Sequence, residues 1–162
     1  MKKIIICAVF LLIITALQIV YYFPKLPENV ASYFASNPNE PLPKTAFFIL
    51  YFSIIYAVFI IFVVLPPVFL VRLPSSLWSL PNKEYWLAPE RLKQTQEFVC
   101  SRLSWIGIAT VSLLLIIFQL AVIENLKQPI SLPPVPIWVI LIPYLLLTYG
   151  SVASLLLKFI RK

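Results

Sequence analysis

Four long stretches of this 162-residue chain contain no charged side chain. They cover residues 4–24, 45–71, 103–123 and 128–157, so even the shortest would rise about 31 Å as an α-helix, matching a hydrocarbon core of about 30 Å. Because a backbone in lipid must satisfy its own N–H and C=O groups, segments of this length cross as helices. The chain is also only 12% charged, against about 25% in soluble domains.

The sequence therefore predicts an all-α, polytopic membrane protein with four transmembrane helices in a single integral membrane domain, residues 1–162. A cleaved signal peptide is the alternative for the first span, but no small-residue cleavage site follows promptly, so an uncleaved anchor fits better. The predicted segments are spans at about 4–23, 45–68, 103–123 and 136–157, an outer loop at 24–44 and a cytoplasmic loop at 72–102.

The basic residues predict the orientation, because Lys and Arg are retained on the cytoplasmic side of short loops. With both termini cytoplasmic, ten of the 13 basic residues lie inside, and only Lys25, Lys44 and Lys127 lie outside. The six Glu residues divide evenly between the two sides, so the cytoplasmic side carries the whole net charge of +7. We expect a multi-pass plasma-membrane protein, and this topology explains the basic balance without nucleic-acid binding.

The composition argues against catalysis. The chain has no His and no Asp, and its Glu residues lie in loops without a recognisable acid/base pairing. Two Cys residues without His cannot assemble a four-ligand zinc site within one chain. We therefore expect a protein that is not an enzyme, with no catalytic residues, no metal site and no cofactor.

Two uncharged polar residues lie inside the predicted spans. Gln18 and Gln119 are roughly 7.5 and 6 Å from the outer ends of their spans, so they share one layer if spans one and three are neighbours. This depth predicts an interhelix hydrogen bond between the two amides, although each could instead reach the interface.

Three sequence features predict local helix geometry. Pro143 should bend span four, and Pro66 and Pro67 should end or kink span two before Arg72. Gly150 and Ser154 form a small-xxx-small pair that would let another helix approach closely, either within the monomer or in a dimer.

The predicted outer loop contains a recognisable motif. The run Leu26-Pro27-Glu28-Asn29-Val30-Ala31-Ser32-Tyr33-Phe34, followed by a polar turn and then Lys44-Thr45-Ala46-Phe47, resembles the membrane family catalogued as domain of unknown function 1648. That family includes the amino-terminal part of SdpI-type immunity proteins, and the resemblance covers roughly residues 10–65. It marks Leu26, Pro27, Ser32, Tyr33, Phe34 and Lys44 as candidate interaction residues, with Tyr33 standing where relatives usually have His.

The predicted cytoplasmic loop supplies the other candidate interaction residues. These are Asn82, Lys83, Tyr85, Trp86, Pro89, Glu90 and Arg91, in a segment similar to one in short proteins of the same family. Pro89 suits the first turn of a helix, and an amphipathic helix should run from it along the membrane surface into span three. The aromatic and basic residues, Trp78 among them, predict either an interfacial anchor facing anionic headgroups or a partner site; enrichment of Trp and Tyr at interfaces favours the anchor.

These observations lead to three functional hypotheses. The first is a non-catalytic membrane protein whose outer Leu-Pro loop and cytoplasmic segment interact with lipids or with another membrane protein. The family resemblance implies the second, an immunity or signalling protein acting against membrane-active peptides. The third is a small permease subunit, which the absence of charged residues inside the spans disfavours. The expected partners are therefore the lipid bilayer and its anionic headgroups, and a membrane protein or membrane-active peptide.

Overall fold

A computed structural model of the protein describes residues 2–31, 41–127 and 137–160. Its helices are α1 (Lys2–Tyr22), α2 (Lys44–Phe59), α3 (Leu65–Arg72), α4 (Lys83–Trp86), α5 (Pro89–Asn125) and α6 (Ile137–Ile160). A π-helical turn, Ile60–Val64, joins α2 to α3, and a 3-10 turn lies at Ser75–Leu77. Strands β1 (Asn29–Val30) and β2 (Leu42–Pro43) pair antiparallel, with Asn29 opposite Pro43.

Within the residues that the structure describes, four helical stretches are long and apolar enough to cross a membrane, as predicted, and they indicate a multi-pass membrane protein. They are Ile4–Tyr22, Lys44–Leu70, Pro89–Asn125 and Trp138–Ile160. The fold is mostly helical as predicted, and the β1–β2 pair is an addition that the sequence patterns did not indicate.

Helix α5 is the centre of the bundle and packs against α1, α2, α3 and α6. It runs parallel to α1, since Gln18 meets Gln119 while Leu11, nearer the start of α1, packs against the cluster that contains Val111, Leu114 and Leu115. Helices α2 and α6 run antiparallel to it, as the contacts of Phe47 with Phe118 and of Phe159 with Phe98 require. We call the end with β1 and β2 the hairpin end, and the opposite end, with residues 73–88 between α3 and α5, the connector end.

The best-packed part of the core lies towards the hairpin end. Phe47, Tyr51 and Phe118 are almost completely buried there, and the Phe47 and Phe118 rings stack with centroids 5.5 Å apart. Leu26 and Val30, from the first loop, are buried in the same cluster. The described beginning of the loop, up to Ala31, therefore belongs to the core of the bundle.

The prolines of span two act through the turn that precedes them. Pro66 and Pro67 have no N–H to offer the carbonyls of Phe62 and Val63, and a proline ring clashes with the carbonyl four residues before it. The chain widens into the π-helical turn, in which the Leu65 N–H bonds Ile60 O five residues back. Of the two predicted outcomes, an end or a kink in span two, the end is excluded, since helix continues to Arg72.

Small side chains on α5 allow that turn to pack closely. Cys100, Ser104, Gly107 and Val111 are all buried and share one face of the helix. A Cβ atom on Gly107 would lie 2.5 Å from Phe62 Cβ, so only glycine fits this contact. A Cβ on Gly150 would meet nothing within 4 Å, so the described residues make no close helix approach at the predicted Gly150–Ser154 pair.

The region predicted as a cytoplasmic loop is more helical than expected. Pro89 does occupy the first turn of a helix, but α5 runs unbroken for 37 residues, about 55 Å, to Asn125. Because this length exceeds a hydrocarbon core of about 30 Å, the first turns of α5 extend beyond the membrane-spanning part. The predicted helix from Pro89 into span three is therefore present, as the beginning of the third span's own helix.

Helix α6 is the most peripheral of the spans. Among its side chains that the structure describes, at 138–160, only Phe159 is buried. The helix continues through Pro143, and it is joined to α5 by the hydroxyls of Tyr144 and Thr110, 3.2 Å apart.

Candidate functional site

The described candidate residues of the first loop, Leu26, Pro27 and Lys44, make contacts within the fold. Leu26 is buried and Pro27 half-buried, while Lys44 opens α2 and forms an ion pair with Glu28 at 2.8 Å. The Lys44 backbone N–H also donates to Glu28 O, which closes the base of the loop. Ser32, Tyr33 and Phe34 lie outside the described residues.

Asn125, at the end of α5, fixes the base of this loop. Its Oδ1 accepts from the Ala31 N–H at 2.7 Å, and its Nδ2 donates to Ala31 O at 2.8 Å and to Ala121 O at 2.7 Å. The amide is only 3% exposed and uses both donors and its acceptor. It continues the hydrogen bonding of a strand beyond Val30, a role that sequence reasoning missed because the partner lies 94 positions away.

The two membrane-embedded amides meet as the depth argument predicts. Gln18 Nε2 donates to Gln119 Oε1 at 3.0 Å, and Gln119 Nε2 donates to the hydroxyl of Tyr22 at 2.8 Å. The resulting chain of three side chains ties α1 to α5 near the hairpin end. Both polar atoms of the Gln119 amide are thereby paired, whereas the buried Gln18 Oε1 has no hydrogen-bond partner among the described residues.

Two candidate residues of the connector end point into the fold. Asn82 Nδ2 and Trp86 Nε1 both reach Phe159 O, at 3.4 and 3.3 Å. This carbonyl lies in the last turn of α6 and has no partner within the helix, so the two side chains cap it. The Trp86 ring also packs edge-on against the Phe159 ring.

Helix α5 makes two further caps of the same kind. Thr95 Oγ1 donates to Trp86 O, at the end of α4, and Gln96 Nε2 donates to Leu70 O, near the end of α3. Three helix C-termini are thus satisfied by side chains within one small region. The connector end is a folded platform and not a loose loop.

The remaining candidate residues of the connector end lie on its surface. Lys83, Pro89 and Glu90 are exposed, and Glu90 occupies the first turn of α5, where a negative charge is favourable. The Arg91 guanidinium carbon stands 3.9 Å from the Tyr85 ring centroid. Trp78 is only 6% exposed, so it is a core residue of the connector end rather than an exposed anchor.

The two ends of the molecule treat their charges differently. Both ion pairs among the described residues, Lys44 with Glu28 and Lys127 with Glu124, lie at the hairpin end. At the connector end two cations lie over one aromatic ring and form no ion pair with a described residue: Lys158 Nζ is 3.6 Å from the Phe98 centroid, and Arg102 Cζ is 5.1 Å from the same centroid. At the hairpin end only Lys25 is placed in this way, with its Nζ 3.3 Å from the Tyr21 centroid and no ion pair to a described residue. Within the described ranges, the positive charge of the connector end is therefore not neutralised by ion pairs.

Sequence reasoning missed Phe98, Arg102 and Lys158 as members of the connector-end surface, and it missed Phe159 as the buried residue behind them. The spacing of Phe98 and Arg102 places them on one helix face, which was a usable signal. The contact of Lys158 with Phe98 could not be predicted from the sequence, because it depends on α6 packing antiparallel against α5.

The described part of the chain contains no group of three or more His, Cys, Asp or Glu side chains that could hold a metal ion. No family model matches the chain, and neither a curated protein nor a solved structure is significantly similar to it.

Proposed function

We propose that this is a non-catalytic protein of the plasma membrane, with both termini in the cytoplasm, whose connector end binds the anionic cytoplasmic membrane surface. The observation that carries the proposal is the unequal pairing of charges at the two ends. Two of the three hairpin-end lysines, Lys44 and Lys127, are neutralised by neighbouring Glu residues, and only Lys25 lies over a ring instead. At the connector end no described cation forms an ion pair, and Arg91, Arg102 and Lys158 lie over aromatic rings.

Physical chemistry favours this orientation. A basic side chain near an anionic leaflet contributes about 1 kcal/mol, and cations without ion pairs keep their charge available for it. Tyr85 is exposed and its ring lies against the Arg91 guanidinium. Tyrosine is a residue type that is enriched at the level of the lipid headgroups. Because Asn82, Trp86 and Thr95 hold the connector end in place, its surface charges are presented by a preorganised platform.

Lipid enrichment around the protein tests the proposal. The protein would be extracted with a polymer that retains neighbouring lipid, and the ratio of phosphatidylglycerol to phosphatidylethanolamine compared with that of the bulk membrane. We expect enrichment of phosphatidylglycerol, reduced in the Lys83→Gln/Arg91→Gln/Lys93→Gln variant and weakened by salt, which screens exposed charges. The Lys25→Gln/Lys44→Gln/Lys127→Gln variant has the same charge change at the hairpin end. Bulk composition around the wild type, or equal effects of the two variants, would contradict the proposal.

The immunity or signalling role implied by the family resemblance is a second proposal. It is favoured by the fixed base of the first loop, where Asn125 holds Ala31 and Glu28 pairs with Lys44 at the hairpin end. Deletion of the gene followed by challenge with membrane-active peptides tests it. Increased sensitivity, restored by the wild-type gene, would support this role, and unchanged sensitivity would count against it.

A further inference from the structure

A groove runs along the lipid-facing side of the bundle, between α5 and α6. Its volume is about 400 Å³, and its α5 wall extends from Arg102 to Ile116. At the helical rise, this wall covers about 21 Å, more than half of a hydrocarbon core of about 30 Å. The groove is therefore long enough for the depth that an acyl chain of one leaflet occupies.

The lining of the groove changes along its length. Its deeper part is apolar and includes Leu113, Ile116, Ile140 and Leu147, whereas Arg102 and Ser151 lie at the connector end. Trp105 also lines it and is 44% exposed, at the level where aromatic side chains meet headgroups. The apolar deeper part of the groove matches a hydrocarbon chain, and the connector end with Arg102 matches a negatively charged headgroup.

A pair of cations stands at the connector end of the groove. Lys158 lies two helical turns beyond Ser151 on the same face of α6 and so continues the wall of the groove. Lys158 Nζ and Arg102 Cζ share the Phe98 ring, and the two distances to its centroid place them at most about 8.7 Å apart. Two like charges within this distance, neither in an ion pair with a described residue, favour binding of an anion beside them.

We infer that the α5–α6 groove is a binding site for one anionic phospholipid of the leaflet at the connector end. Arg102 and Lys158 hold the phosphate, and one acyl chain lies between α5 and α6 against the apolar lining. Arg102 can donate two parallel N–H bonds to phosphate oxygens, while Lys158 acts as a point charge. The inference rests on the proposed function and narrows it to one saturable site.

Native mass spectrometry of the delipidated protein in detergent micelles tests this site. Dioleoyl phosphatidylglycerol and dioleoyl phosphatidylcholine would be titrated separately. We expect one phosphatidylglycerol per chain to bind more tightly than the others, with phosphatidylcholine bound more weakly. In the Arg102→Gln/Lys158→Gln variant the affinity of this site should fall roughly tenfold or more, because two cations are lost.

Two further variants separate charge from shape. Ala109→Phe should fill the groove and weaken the tight site while every charge remains, since Ala109 lines the apolar wall. Lys25→Gln/Lys127→Gln removes the same charge as the double variant but at the hairpin end, and should leave the tight site unchanged. Glycerol phosphate, which has the headgroup charge but no acyl chain, should compete poorly.

Three results would overturn the inference, each in a different way. If phosphatidylglycerol binds in preference but only the Lys83→Gln/Arg91→Gln/Lys93→Gln variant weakens it, the proposed function stands and the groove site falls. If neither lipid is preferred, both fall. If the spectra instead show a dimer that Ala109→Phe dissociates, with lipid binding unaltered, the groove holds a second copy of the chain.

Discussion

Single residues set the closest contacts in this bundle, and Gly107 is the clearest case. It faces the π-helical turn that Pro66 and Pro67 impose on the second span, and its missing Cβ leaves room for Phe62. The chain has only one other glycine, Gly150, which faces open space. The two glycines therefore form a natural pair for measuring what the contact contributes.

We expect Gly107→Ala to destabilise the protein by about 1–3 kcal/mol, the usual cost of overpacking a core. Its added methyl group would lie 2.5 Å from Phe62 Cβ and 3.3 Å from Val63 Cγ2. Thermal unfolding in detergent micelles measures the effect. Gly150→Ala is the control and should be neutral or slightly stabilising, since alanine is the better helix former. Equal melting temperatures for the two variants would contradict the packing.

Asn125 allows a second test at the residue scale. Asn125→Asp keeps the shape but replaces the donor to Ala31 O and Ala121 O with a carboxylate oxygen, so two carbonyls lose their partner. We expect a loss of about 1–3 kcal/mol, typical of buried polar groups left unpaired, and faster amide exchange at Ala31. Glu124→Gln, which removes only the ion pair to Lys127, should cost about 0–1 kcal/mol. Slow exchange at Ala31 in Asn125→Asp would show that the amide does not hold the loop.

At the scale of elements, charge and hydropathy predicted the four membrane-spanning helices. Most contacts between those helices depend on long-range packing, which the sequence patterns did not reveal. The four spans could be predicted because lipid requires long uncharged helices, and the Gln18–Gln119 contact because depth alone fixes a layer. The capping of Phe159 O by Asn82 and Trp86 could not be predicted, because it depends on the antiparallel packing of α6 on α5. The π-helical turn was not predicted either, since Pro66 and Pro67 are equally compatible with a simple end to the helix.

The contact between α1 and α5 can be tested by a double-mutant cycle. Gln18→Leu and Gln119→Leu, alone and together, should show a coupling energy of about 0.6 kcal/mol, the average for hydrogen bonds between membrane helices. Unfolding in detergent micelles measures it. A cycle between Gln18 and the exposed Gln94, near the start of α5, should be additive. Additive effects of Gln18 and Gln119 would mean that the two amides do not interact.

For the whole molecule, the main feature is the contrast between its two ends. At the hairpin end two of the three lysines form local ion pairs and Asn125 fixes the base of the loop, whereas the connector end is a folded platform whose described cations form no ion pair. Both the general attraction to an anionic surface and the specific lipid site require that the connector end face the cytoplasm. Orientation is therefore the property on which the functional account depends.

Labelling of single cysteines measures that orientation directly. In a background without Cys7 and Cys100, a membrane-impermeant maleimide would be applied to Lys83→Cys at the connector end and to Glu28→Cys at the hairpin end, both exposed positions. We predict that Lys83→Cys reacts only in inside-out vesicles and Glu28→Cys only in right-side-out vesicles. The reverse pattern would place the unpaired positive charges outside the cell and contradict the account.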